Sequence, residues 1–97
     1  MDRGQALFKI FIKVVIKMYK MKTTQKLTQK DMVEAIEYFK NEHNLSYSKI
    51  AEYAKISRRT ILRIQKDYKG EIKYKCNDET RTKLSKALHK LYRYLNK

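Results

Sequence analysis

The chain has 97 residues and a formal net charge of +14, from 24 Lys and Arg against 10 Asp and Glu. That length supports one core, and so large a positive excess makes the folded state repel itself unless a polyanion neutralises it. A single cysteine, Cys76, excludes an internal disulfide, while the lack of proline and the presence of only Gly4 and Gly70 argue against Gly-rich phosphate cradles and a loop-rich enzyme.

The first segment runs from about Ala6 to Met21 and is dense in apolar residues: Leu7, Phe8, Ile10, Phe11, Ile12, Val14, Val15, Ile16, Met18 and Tyr19. Lys9, Lys13, Lys17 and Lys20 interrupt it at spacings of four, four and three, which gathers them on one helical face. The even positions from 8 to 18 are all apolar, and Val and Ile abound, which is equally a strand pattern, so helix and strand both stay open. The apolar stretch is too short for a membrane span, with Lys13 and Lys17 in mid-run, and it resembles a signal-peptide core only loosely, since the lysines interrupt it and no small-residue cleavage site follows. A core or dimer-contact element is the expectation, in preference to a helix lying in a membrane interface.

A helix is expected from about Gln29 to Glu42. Thr28 is its N-cap with Asp31 in capping-box position, and Met32, Ala35, Ile36 and Phe39 form one apolar face. Asn44 suits the left-handed turn that follows. After Gly70, a natural C-cap, Glu71 to Cys76 alternate apolar and charged residues, as an extended loop or as a strand whose partner would be the first segment. The last helix spans about Glu79 to Leu95, capped by Asn77 or Asp78. Leu84, Ala87, Leu88, Leu91 and Leu95 are its buried stripe, with His89 on the solvated flank. Cys76 reads as a small apolar filler, and Cys76, His43 and His89 are too dispersed to ligate a metal.

The stretch from Leu45 to Lys66 carries the functional argument. Ser46 caps a short helix whose inner face is Ile50, Ala51 and Ala54, with Ala51 small enough to admit a crossing helix. Lys55 and Ile56 make a tight turn, Ile56 plugs the core, and Ser57 caps a second helix with Ile61 and Ile64 inside. Arg58, Arg59, Leu62, Arg63 and Lys66 are left pointing outward. Such a face at the positive end of a helix calls for an anion, and an arginine there can fork onto the O6 and N7 acceptors of guanine in a major groove wide enough for one helix. The bland alternative is a solvated face of an ordinary bundle; the joint placement of the small residue, the plug and the cap favours a helix-turn-helix.

Ser46 to Lys66 resembles the helix-turn-helix of the phage lambda repressor-like superfamily, which includes the Cro-type and lac-repressor-type regulators. The run Ile50-Ala51-Glu52-Tyr53-Ala54-Lys55-Ile56-Ser57 is similar to the lac-repressor type, and Asp78 to Leu88 resembles the helix that follows the motif. The helix before the motif fits the Cro-type arrangement. The resemblance covers about Thr28 to Leu91 and departs from the family at Lys55, where glycine is usual. It implies that Ser57, Arg58, Arg59, Leu62, Arg63 and Lys66 face the groove, with the arginines on base edges and Leu62 near thymine methyls. It implies phosphate contacts from Tyr47, Ser48 and Lys49, and weaker ones from Lys69, Lys73 and Arg81.

The fold expected is all-α, a lambda-repressor-like bundle of four to five helices over residues 28–97, preceded by an apolar extension over residues 1–27. The function expected is a sequence-specific regulator of double-stranded DNA, a repressor acting as a homodimer in the cytoplasm of a phage or plasmid host, associated with the nucleoid, because one short helix reads too few bases alone. No cofactor, metal or small-molecule effector is expected, and no residue set supports an enzyme. The alternatives are an accessory factor for recombination, partition or replication, a basic bundle that inhibits another protein, and a membrane-surface protein using Leu7 to Met21.

Overall fold

The computed structural model describes residues 3–22 and 25–95, with side chains from Phe11 onward; Leu7, Phe8 and Ile10 of the first apolar run lie outside the described side chains. Among the described residues five helices follow one another: α1 (Arg3–Lys20), α2 (Gln29–His43), α3 (Tyr47–Ala54), α4 (Arg58–Tyr68) and α5 (Asp78–Leu95). No strand occurs among the described residues.

The first segment is a helix, not a strand. Phe11, Val14 and Met18, at i, i+3 and i+7, are buried, and α1 packs along α2, where the Phe11 ring meets Tyr38 edge-on at 5.9 Å. The even-numbered pattern arose because α1 is apolar on a second side as well. Ile12, Ile16 and Tyr19 are 41%, 49% and 79% exposed. Phe11, Val14, Met18 and Leu27 therefore belong to the same core as the buried residues of the later helices.

The middle of that core is α2, which packs against all four other helices. Met32, Ala35, Ile36 and Phe39 form its fully buried face, as the 3.6-residue period requires, and each large side chain among them contributes about 1.5–3 kcal/mol on leaving water. Its start is fixed by Thr28, whose hydroxyl accepts the Asp31 N–H at 3.1 Å. Its end is fixed by Asn44, in the left-handed conformation at φ 55°.

Gly70 closes α4 with φ 80°: its N–H donates to the Asp67 carbonyl and the next N–H, from Glu71, to the Lys66 carbonyl, the paired bonds of a Schellman motif. The segment beyond it is a loop, and side chains explain why it needs no strand partner. Asp67 accepts the Tyr74 N–H through Oδ1 and the Gln29 amide through Oδ2. The Gln29 amide also donates to the Tyr74 carbonyl at 2.7 Å, and Gln29 Oε1 accepts the Cys76 N–H at 3.0 Å. The backbone groups a neighbouring strand would have satisfied are satisfied by α2 and α4 instead.

On α5, Asn77 is the capping residue, its Oδ1 accepting the Thr80 N–H at 2.7 Å. One expectation for α5 is overturned. His89 is not a solvated flank residue but is 3% exposed, with Nε2–H donating to the Gln25 carbonyl at 2.9 Å. The reason is tertiary. The 25–28 segment folds across α5, and Ser85, one turn before His89, accepts the Leu27 N–H at 2.9 Å, so the buried stripe is one row wider than its leucines.

Candidate nucleic-acid interface

Helices α3 and α4 are joined by three residues, Lys55, Ile56 and Ser57. Ser46 Oγ accepts the Lys49 N–H at 3.1 Å and starts α3; Ser57 Oγ accepts the Thr60 N–H at 3.2 Å and starts α4. Lys55 ends α3 in the left-handed conformation, φ 59° and ψ 41°, with its N–H on the Glu52 carbonyl and that of Ile56 on the Ala51 carbonyl. Inside the corner lie Ile50, Ala51, Ala54, Ile61 and Ile64, all nearly inaccessible, with Ile56 packed against them. The inner faces, the plug and both caps sit where the sequence placed them.

The outer face of α4 follows by exclusion. Arg59, Leu62, Arg63 and Lys66 recur at i, i+3, i+4 and i+7, with Ser57 and Arg58 at the N-terminal end. Arg58, Arg59, Arg63, Lys66 and Ser57 are exposed, and Leu62 is half-buried. The three ion pairs among the described residues join Lys17 to Asp31, Lys26 to Asp78 and Lys83 to Glu79, so none of the four α4 cations is neutralised by an acid. Arg63 leans back toward the loop, its guanidinium carbon 5.8 Å from the Tyr74 ring centre, a contact that fixes its direction without removing its charge.

The residues expected at phosphates fall into separate places. Ser48 and Lys49 are exposed on the first turn of α3. Tyr47 beside them is turned inward: its hydroxyl donates to Glu37 Oε1 at 2.8 Å, and its ring carries the Lys40 ammonium at 4.2 Å. Lys69 and Lys73 are exposed beyond the far end of α4. Arg81 is half-buried on α5, with its Nε buried and without a hydrogen-bond partner, close enough to Cys76 for its charge to act on the thiol.

The residues that hold α4 at this angle escaped the sequence reading. Gln65, 5% exposed, donates to Glu37 Oε1 at 2.6 Å, so one carboxylate oxygen of α2 receives both α3, through Tyr47, and α4, through Gln65. The available signal was a glutamine beside Ile64 on the inward side of α4, four residues after Ile61. At the end of α4 the Tyr68 hydroxyl donates to Glu34 at 3.1 Å; burial first, then the Glu34 charge, pushes that phenol above its usual range.

A cavity of about 480 Å³ between α1, α2 and the end of α4 offers no comparable field, because it mixes Lys13, Lys17 and Lys30 with Asp31 and Glu34. No cluster of three or more His, Cys, Asp or Glu side chains that could hold a metal ion occurs among the described residues. No helix there is long and apolar enough to cross a membrane. No known protein family, curated protein or solved structure matches the chain.

Proposed function

We propose that this chain is a sequence-specific binder of double-stranded DNA, a regulator of repressor type, whose α3–turn–α4 unit is a helix-turn-helix of the lambda repressor-like kind. The observation that carries the reading is the outer row of α4: Arg58, Arg59, Arg63 and Lys66, without an acidic partner among the described residues, run from the first turn of that helix to its last, and the helix is braced from behind. Phosphates supply the missing counter-charge, and base edges give the forked arginine donors partners that water and surface carboxylates do not arrange as well. Ser48 and Lys49 set the register on the backbone, while Arg58, Arg59 and Arg63 read sequence and Leu62 meets thymine methyls.

The binding unit in this reading is a homodimer, since a two-fold pair doubles the bases read. Its contact is the exposed side of α1, where Phe11, Ile12, Val15, Ile16, Tyr38 and Glu42 line an apolar groove of about 230 Å³. A second copy suits that groove because its lining is apolar apart from Glu42, and Ile12 and Ile16, 41% and 49% exposed in the single chain, would be covered by the same apolar strip of a partner.

The test is selection from a random-sequence duplex pool at near-physiological salt, with the chain and with Arg58, Arg59 and Arg63 changed together to Ala. An enriched, two-fold-symmetric site that disappears in the variant is the expected result. Enrichment of no sequence, with binding equally strong in the variant, would refute sequence reading by α4.

A further inference from the structure

We propose that the groove between the end of α3 and the outer side of α5 is a second contact surface for the phosphate backbone of duplex DNA, formed by Lys55, Lys83, Lys86 and Lys90. The proposal rests on α4 being the DNA-reading helix and adds a backbone strand held beside it.

The groove has a volume of about 250 Å³ and is lined by Tyr53, Ala54, Lys55, Lys83, Lys86, Ala87 and Lys90. Its floor is small: Ala54 and Ala87 are 4% and 5% exposed, so nothing beyond a methyl group stands between an approaching chain and the protein surface. Its walls are ammonium groups. Only Lys83 has an acidic partner among the described residues, Glu79 at 3.3 Å one turn earlier, and both side chains are too exposed for that pair to hold the charge in place. Lys55, Lys86 and Lys90 have none.

Four cations around one shallow groove oppose one another, and local stability does not explain them. The negative end of the α3 dipole favours a cation, and Lys55, the C-cap of that helix, is already there. Lys55 moreover occupies left-handed backbone at φ 59°, a conformation that strains a non-glycine residue and that glycine adopts freely. Lysine at that position projects charge over the groove, which glycine does not.

Length and position select the occupant. Lys83, Lys86 and Lys90 stand along seven residues of helix, about 10 Å at 1.5 Å per residue, which makes them a row longer than a single phosphate group. Lys55 is three residues before Arg58, so its Cα lies within about 11 Å of the start of α4. A backbone leaving the groove read by the N-terminal end of α4 thus has a row of ammonium groups within reach. A free phosphate or a lipid headgroup would use one or two of these lysines; a strand uses the row.

The experiment measures binding to a 30-bp random-sequence duplex as a function of salt. It compares the chain, Lys55→Gln/Lys86→Gln/Lys90→Gln, a charge-matched control with Lys20, Lys22 and Lys30 changed to Gln, and the triple α4 Arg→Ala variant, each checked for helicity by circular dichroism. Losing three phosphate contacts should flatten the slope of log K against log salt by about 2.7, so that between 50 and 200 mM salt the groove variant loses about forty-fold less affinity than the chain. The control should change the slope by less than about half a unit, well under one contact. A groove variant indistinguishable from the control overturns the proposal, and if the α4 variant is still impaired the reading of α4 stands. Failure of the unaltered chain to bind duplex at low salt overturns both. If the three lysines govern binding to vesicles of one part phosphatidylglycerol to three parts phosphatidylcholine and leave duplex binding unchanged, the surface is a membrane site and the proposal is wrong.

Discussion

The Gln65 amide on α4 donates to Glu37 Oε1 on α2 across 2.6 Å, and that bond fixes how the arginine-bearing helix stands on the body of the protein. Gln65 is nearly inaccessible, so removing its acceptor leaves a buried amide unpaired. Glu37→Ala is expected to destabilise the fold by about 1–3 kcal/mol, the penalty for stranding such a group. For a domain of this size that lowers Tm by roughly 4–8 °C per kcal/mol in a thermal melt. Tyr47→Phe keeps the ring beneath Lys40 and removes only a hydroxyl donor, with an expected loss of about 0.5–1.5 kcal/mol. A Glu37/Gln65 double-mutant cycle without coupling would show that the bond contributes nothing to the stability with which α4 is held on α2.

Stability and DNA affinity should separate at Lys55. Lys55→Gly relieves left-handed strain but adds freedom to the unfolded chain, and the balance favours the variant by up to about 1 kcal/mol. The same change removes one ammonium from the groove beside α5 and so weakens duplex binding, with a salt slope shallower by about 0.9. A higher Tm together with lower affinity is the expected pair of results, read by calorimetry and by fluorescence anisotropy. A variant with lower Tm would mean that the lysine side chain supports the turn itself.

Alkaline pH should loosen the fold through three groups. Burial pushes the Cys76 thiol above its usual value of 9.0, and it pushes the Tyr68 and Tyr92 phenols above theirs of 10.0. Each is an acid that the folded state holds protonated more firmly than the unfolded state does. Their contribution is therefore complete below those usual values and is lost as pH rises from there through the raised values of the folded state. Urea midpoints should fall steadily above about pH 9, and Cys76→Ala should remove the first part of that fall. In the folded chain at neutral pH the thiol should also react with a disulfide reagent more slowly than free cysteine, and reach the free rate once the chain is unfolded. A native thiol that reacts at the free rate would contradict its burial.

The features legible in the sequence were those settled within a turn or two of chain. Thr28, Ser46 and Ser57 cap their helices because each hydroxyl meets the N–H three residues on, and Ile50, Ala51, Ala54, Ile61 and Ile64 point inward because helical period alone aims them. The outer face of α4 is what remains. The misread or unseen features depend on partners far along the chain. His89 is buried by Gln25, 64 positions away; Gln65 meets Glu37 across 28; Gln29 meets Tyr74 across 45 and removes the need for a strand. The lysine groove belongs to the same class, since Lys55 joins Lys83, Lys86 and Lys90 only when α3 packs on α5. The helix-or-strand ambiguity of α1 had a different origin. Two apolar sides on one helix imitate a period of two, and one of those sides is left on the surface.

That exposed side of α1 should decide the oligomeric state. Ile12 and Ile16 lie at the groove that also holds Glu42, and neither is buried in the single chain, so charging one of them leaves the core intact. Ile16→Glu places an acid on the apolar strip beside Glu42. In a two-fold contact both copies bring such an acid, with Glu42, into one apolar strip, and charges buried there without a partner are strongly unfavourable. Sedimentation equilibrium should give the unaltered chain about twice its 11.8 kDa monomer mass and the variant the monomer mass, with the two circular dichroism spectra superimposing. The monomeric variant should still bind a random-sequence duplex through the lysines and arginines of its own surface, while its preference for a two-fold-symmetric site over a single half-site disappears. If the unaltered chain sediments as a monomer at the concentrations where it binds DNA, the α1 face is not a self-contact. If the variant stays dimeric, the two-fold axis passes through another surface.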